Sequence, residues 1–151
     1  RKFLNDVLSD YINEIIKPMI LKKAVDLVNQ HKEAGDRLLI ITATNSFITK
    51  PIGELFGIDE LIGTEPEENE GEFTGKVKGT PSFKEGKVKR LFDWLGEKNL
   101  KLADFEKTFF YSDSHNDLAL LEVVTNPVVV NGDKILQKKA QEKNWPTLNL
   151  K

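Results

Sequence analysis

At 151 residues the chain has the length of one ordinary globular domain, enough to bury a sizeable core. Apolar residues at 39% and charged residues at 30% exclude a disordered or collagen-like chain, and a net charge of -2 with Lys and Glu interspersed argues against the basic face a nucleic acid needs. The absence of cysteine excludes a disulfide framework, thiol catalysis and thiolate metal sites, and no apolar run reaches the roughly 20 residues of a membrane span, so a soluble, cytoplasmic protein is the expectation.

The sequence opens at Arg1-Lys2-Phe3-Leu4 with neither a Met nor the charged-then-apolar pattern of a secretory leader, as if it began inside an element. From Phe3, residues Val7, Leu8, Tyr11, Ile12, Ile15 and Ile16 recur every three to four positions, one face of a helix that Pro18 ends. A second helix is expected from Met19 to His31, stopped by Gly35, with His31 a favourable charge at its C-terminus. Leu38 to Ile41 is a continuous apolar run, the pattern of a strand buried on both faces, and Thr42-Ala43-Thr44-Asn45 forms its carboxyl end. Phe47, Ile48, Ile52, Leu55 and Phe56 suggest a helix closed by Gly57, with Pro51 required to sit in its first turn. From Leu61 to Phe83 an acidic stretch and a Gly-rich segment read as a hairpin or flap with a polar tip. Lys84 to Lys98 is helical with Val88, Leu91, Phe92 and Leu95 on one face; strands are expected at 108–112 and 127–130, helices at 117–124 and 134–143, and a short strand at 147–150. Strands alternating with helices predict a parallel sheet covered by helices on both faces, in which ligands sit beyond the carboxyl ends of the strands.

Two of those strand ends carry polar residues. Ser112-Asp113-Ser114-His115-Asn116-Asp117 places two carboxylates four residues apart where a strand gives way to a helix. One Asp or Ser is explained by helix capping; two Asp with an Asn between them also suit Mg²⁺, which takes oxygen ligands from one or two carboxylates and adds water and phosphate. Thr42 either finishes a strand or offers its hydroxyl to a phosphate oxygen beside the N–H groups of the next helix. Lys87, with Lys89 and Arg90 beside it, reads by itself as part of a solvated helix face.

Taken together, Ile41-Thr42-Ala43-Thr44-Asn45, Pro81-Ser82-Phe83-Lys84-Glu85-Gly86-Lys87 and Phe110-Tyr111-Ser112-Asp113-Ser114-His115-Asn116-Asp117 resemble motifs two, three and four of the haloacid dehalogenase superfamily, in the subfamily IB branch of hydrolases related to phosphoserine phosphatase. The resemblance implies a three-layer Rossmann-like core over residues 18–151 and a remnant of a helical cap at 1–17. It implies that Thr42 and Ala43 bind the transferring phosphoryl group, that Lys87 neutralises it and its aspartyl-phosphate intermediate, that Asp113 is a Mg²⁺ ligand, that Asn116 contacts phosphate or orients the metal shell, and that Asp117 holds Lys87 and metal-bound water in place. His115 falls at a variable position of the motif and is expected to be structural or exposed. The family's first motif, Asp-x-Asp-x-Thr, supplies the nucleophile and the general acid; Asp6, Asp10, Asp26 and Asp36 are the only Asp residues before Thr42, and none belongs to such a triplet. The expectation is therefore a core lacking its first strand, inactive alone, with an unpaired sheet edge open to association, from a parent that hydrolyses a small phosphorylated metabolite. A non-catalytic binding or regulatory module on the same sheet is the alternative. A receiver or nucleotide-binding domain is disfavoured by the lack of a Gly-rich phosphate loop.

Overall fold

The computed structural model describes residues 22–149. The helix expected over residues 3–16, the start of the one expected from Met19, and Leu150 lie outside that range. The chain divides into two compact units after Ser82, and each carries a three-stranded sheet.

The first unit contains α1 (Lys22–Glu33), β1 (Ile40–Asn45), α2 (Ser46–Leu55), β2 (Leu61–Asn69) and β3 (Glu72–Lys78). Gly35 ends α1 as expected: with φ 78° it lets the Asp36 N–H reach the His31 carbonyl and its own N–H reach that of Lys32. His31 lies in the last turn, its Nδ1 2.6 Å from Asp36 Oδ2. β1 starts later than its apolar run suggests and runs through Asn45, so Thr42-Ala43-Thr44-Asn45 forms its carboxyl end as expected. The ladder to β2 nevertheless breaks there. β1 pairs in parallel through Ile40↔Leu61 and Ile41↔Ile62, then resumes only at Asn45↔Thr64, so Thr42 to Thr44 bulge out opposite Gly63. A Cβ on Gly63 would stand 3.0 Å from the Thr44 carbonyl and 3.2 Å from the Ser46 nitrogen, so this bulge can be accommodated at ordinary contact distance only by glycine.

α2 follows β1 without a loop. Pro51 is its sixth residue, contrary to the first-turn position its chemistry favours. The missing N–H would have bonded the Phe47 carbonyl, and the helix runs only to Leu55 before Gly57 (φ 68°) ends it, Ile58 N–H bonding Gly53 O. The hairpin is present: Glu70 and Gly71 both have positive φ, as a two-residue type I′ turn requires, between Asn69 and Glu72. Less expected is the double role of β2, whose first residues pair in parallel with β1 while Glu65 to Asn69 pair antiparallel with β3. The buried Ile62 marks the half that belongs to the core.

The second unit contains α3 (Glu85–Glu97), a 3-10 turn at Leu102–Asp104, β4 (Phe109–Ser112), a 3-10 turn at His115–Asp117, α4 (Leu118–Leu121), β5 (Asn126–Val130), α5 (Lys134–Lys143) and β6 (Thr147–Leu148). Its sheet is parallel throughout, in the order β4-β5-β6. Leu121, Val129, Leu136 and Ala140 form the buried centre, with Phe110, Leu118 and Trp145 packed against them. Each large side chain so buried contributes about 1.5–3 kcal/mol relative to exposure. The buried stripe of α3 is Lys87, Leu91 and Leu95, one residue every turn. Phe92, one position round from Leu91, is 47% exposed, which corrects the face expected from hydrophobicity alone.

The expected parallel sheet is thus present as two sheets. Among the described residues β1 pairs only with β2, and β4 only with β5.

Candidate functional site

The sequence brings Lys87 to the buried face of α3 by helical spacing with Leu91 and Leu95. Lys84, the residue before α3, has φ 51°, sparsely populated for a residue with a Cβ, and the turn closes through Gly86 N–H to Phe83 O and Lys87 N–H to Lys84 O. Lys87 is 7% exposed, and its Nζ donates to Asp117 Oδ1 at 2.6 Å. Asp117, equally buried, sits where the 3-10 turn passes into α4, and its other oxygen accepts the Ser112 hydroxyl at 2.5 Å. Ser112 in turn accepts the Ser114 N–H at 3.2 Å. Removing two charges from water is costly, and the cost is offset only where both ions are well hydrogen-bonded. Here the carboxylate is satisfied at both oxygens. The ammonium has three N–H donors, and Asp117 is its one partner among the described residues.

Asp113 follows the last residue of β4 and is exposed. Its carbonyl accepts the Asp133 N–H at 3.0 Å, while its carboxylate has no hydrogen bond or ion pair among the described residues. Such a group is free to ligate a cation. No three acidic or His side chains cluster as a complete cation site among the described residues, but Mg²⁺ needs only one or two carboxylates beside water and phosphate oxygens, so Asp113 fits as one ligand. Asn116 is half-buried, its backbone N–H donating to Ser114 Oγ at 3.1 Å, which makes Ser114 the cap of the 3-10 turn. His115 is exposed, as its variable motif position suggests, and its Nδ1 lies 3.0 Å from Asp133 Oδ2. Partial burial pulls the Asp133 carboxyl towards its neutral form. The N–H groups of His115 and Leu136 and the His115 ring outweigh this and hold it below the ordinary Asp value.

Lys87, Asp113, Asn116 and Asp117 therefore all belong to the second unit, and three of them lie within five residues of one strand end. Thr42 and Ala43 belong to the first. There Thr42 Oγ1 accepts the Thr44 N–H at 3.1 Å, a local turn that holds the bulge just before the N-terminus of α2. Ser46, the first residue of α2, donates to Glu65 Oε2 at 2.7 Å. Sequence reasoning missed Asp133 and Ser46. Asp133 carried a readable signal, an Asp immediately before a helix; the partner of Ser46 is 19 residues away and left no local sign. Clefts of about 400 and 570 Å³ open elsewhere in the second unit, and none of the four site residues lines them.

Residues 2–122 match the model of the haloacid dehalogenase-like hydrolase family. The chain is 48% identical over 151 residues to a histidinol-phosphatase of Neisseria meningitidis, covering 99% of this chain and 66% of that protein. It is 44% identical, with a TM-score of 0.96, to a solved Bordetella pertussis protein of unknown function, covering 98% of this chain and 66% of that one. A probable phosphoserine phosphatase from Vibrio cholerae shares the fold at 17% identity and a TM-score of 0.68, over 94% of this chain and 42% of that one. The chain thus spans just under two thirds of the Neisseria relative's length. With a parallel α/β core, a buried Lys–Asp pair and an unpartnered Asp at a strand's carboxyl end, all in the order of the motifs, this chain belongs to the haloacid dehalogenase-like hydrolase family.

Proposed function

We propose that this chain is part of a cytoplasmic, Mg²⁺-dependent hydrolase of small phosphomonoesters that acts through an aspartyl-phosphate, and that the nucleophilic Asp lies on a segment outside these 151 residues. The observation that carries the reading is the Lys87 ammonium. It is buried, anchored from one side by Asp117, and keeps two N–H donors without a partner among the described residues. A phosphoryl group is the natural complement of such a cation, because phosphoryl transfer depends on positioning and on neutralising the equatorial oxygens more than on proton chemistry.

In this reading Thr42 gives its hydroxyl, and Ala43 its N–H, to phosphoryl oxygens. Lys87 neutralises phosphoryl charge before and after transfer. Asp117 holds Lys87 in place, Ser112 fixes Asp117, and Asn116 contacts phosphate or orients the metal shell. Asp113 would ligate Mg²⁺, which when bound supplies charge neutralisation at the phosphoryl oxygens. As the ester P–O bond breaks, a new P–O bond forms to the Asp of the outside segment and the leaving alcohol takes a proton from that segment's general acid; water then cleaves the acyl phosphate, releasing inorganic phosphate and restoring the Asp. Without that Asp the 151-residue chain has no route to turnover.

The Neisseria relative's name makes histidinol phosphate the first substrate to try, with phosphoserine and phosphocholine as other small phosphomonoesters. The test is hydrolysis of these and of p-nitrophenyl phosphate by the full-length protein, with Mg²⁺ and with EDTA, for wild type and Asp113→Asn. The expected result is Mg²⁺-dependent turnover that falls at least about 100-fold in the variant. Equal Mg²⁺-dependent rates would sink the role of Asp113, and hydrolysis indifferent to EDTA would sink the metal.

A further inference from the structure

Asp133 lies 16 residues beyond the last motif residue, yet four hydrogen bonds of its N–H and carboxylate tie it into the site's loop and the helix behind it. Its N–H donates to the Asp113 carbonyl at 3.0 Å. Its Oδ2 accepts two hydrogen bonds from His115, from the backbone N–H at 2.9 Å and from Nδ1 at 3.0 Å. Its Oδ1 accepts the Leu136 N–H at 2.8 Å and so caps α5. The work is divided between the two oxygens: one serves the helix, the other serves the loop. A cap needs only the first.

We infer that Asp133 is a positioning residue, which latches the Asp113–His115 backbone to the start of α5 and so fixes where the Asp113 carboxylate points. The inference rests on the reading of Asp113 as a metal ligand. The physical case is that Asp113 lies on an exposed loop between β4 and a 3-10 turn, and nothing in its own side chain orients it. The loop is pinned on one flank by Ser112 and Ser114, which bond to each other and to Asp117 and Asn116. Asp133 supplies the pin on the other flank, and its own place is set by α5, whose Leu136 and Ala140 are fully buried. A ligand held by a rigid element binds a cation with less ordering cost than one on a free loop, and groups that orient ligands from behind commonly change metal affinity 10–100-fold. Because Oδ2 is an acceptor, Nδ1 of His115 must carry a proton in this contact, and the exposed ring serves as a second strut and not as a catalytic group.

The division between the two oxygens makes the inference testable with one atom. Asp133→Asn can keep an oxygen on the Leu136 N–H, but it then faces the two His115 donors with an NH₂. In the full-length protein Asp133→Asn is expected to melt within a few degrees of wild type, to need about tenfold more Mg²⁺ for half-maximal p-nitrophenyl phosphate hydrolysis, and to exchange the His115 amide hydrogen faster in metal-free buffer. Asp133→Ala should show the same Mg²⁺ shift and lose thermal stability as well. His115→Ala, a change at an exposed position that folding should tolerate, removes one strut and should raise the Mg²⁺ requirement two- to fivefold. If Asp133→Asn and His115→Ala keep the wild-type Mg²⁺ requirement and the wild-type His115 amide exchange, Asp133 is a helix cap and the inference is overturned. A wild-type enzyme active without Mg²⁺ would instead overturn the metal reading of Asp113, a distinguishable failure.

Discussion

Lys87 shows how a residue can be misjudged from its neighbours. Between Gly86 and the charged Lys89 and Arg90 it reads as a solvated cation, and only the order of three motifs along the chain singled it out. The structure gives the physical reason: the stripe Lys87-Leu91-Leu95 turns it inward, and Asp117, 30 residues on, receives it. Asp113, Asn116 and Asp117 were readable because they are adjacent in sequence. The Lys–Asp contact was readable only through resemblance. Removing one member of a buried pair strands the other, so Lys87→Met should destabilise by about 3–5 kcal/mol in chemical denaturation, whereas Lys87→Met with Asp117→Leu should regain most of that. Both should be inactive. A single variant as stable as wild type would mean that Asp117 is not effectively buried.

Two features decide events at the level of strands and helices. The first is the bulge of β1 over Gly63. A methyl group at position 63 would press on backbone atoms of Thr44 and Ser46, so Gly63→Ala should cost about 1–3 kcal/mol by overpacking and displace Thr42 with the bulge. The expected readout is a lower melting temperature together with a raised KM in the full-length protein; an unchanged KM would separate Gly63 from the phosphate role of Thr42. The second is the cap of α5. A carboxyl held below its ordinary pKa stabilises the fold fully above that ordinary value, near 3.9, and the contribution disappears as pH falls through the lowered one. The stability difference between wild type and Asp133→Ala, about 1 kcal/mol from capping, should therefore be constant from pH 7 to pH 5 and close only in stronger acid. A gap that already closes above pH 5 would show that the capping carboxylate is not its origin. Element types were largely legible, since periodicity and glycine stops act locally. The bulge in β1 was not, because Thr42 to Thr44 stay extended while leaving the ladder. The left-handed Asn99 and Asn144 that end α3 and α5 carried a weaker signal than glycine.

For the whole molecule, the alternation of strands and helices was enough to name a parallel α/β core, because each unit was locally periodic. Pairing partners were less legible: Leu61 and Ile62 are too short an apolar run to announce a core strand, and the acidic residues after them drew the reading towards a flap. The two sheets also bear on how the chain behaves by itself. Among the described residues β1 pairs only with β2 and β4 only with β5, and Phe109 of β4 is 42% exposed. Exposed apolar side chains beside a strand edge favour association. Sedimentation of the 151-residue chain should therefore show concentration-dependent self-association that the full-length protein lacks; a monomer at all concentrations would show that these edges are protected.

The two loyalties of β2 have a further consequence, for tolerance to change in length. Its parallel half ends at Thr64 and its antiparallel half begins at Glu65, and the latter already contains a register shift between Pro66 and Glu68. An inserted residue at Glu70-Gly71 would slip only the antiparallel pairing, and the existing irregularity gives that slip somewhere to be absorbed. The hairpin tip is thus a place where the molecule can grow, while the strand end beside Thr42 keeps its register.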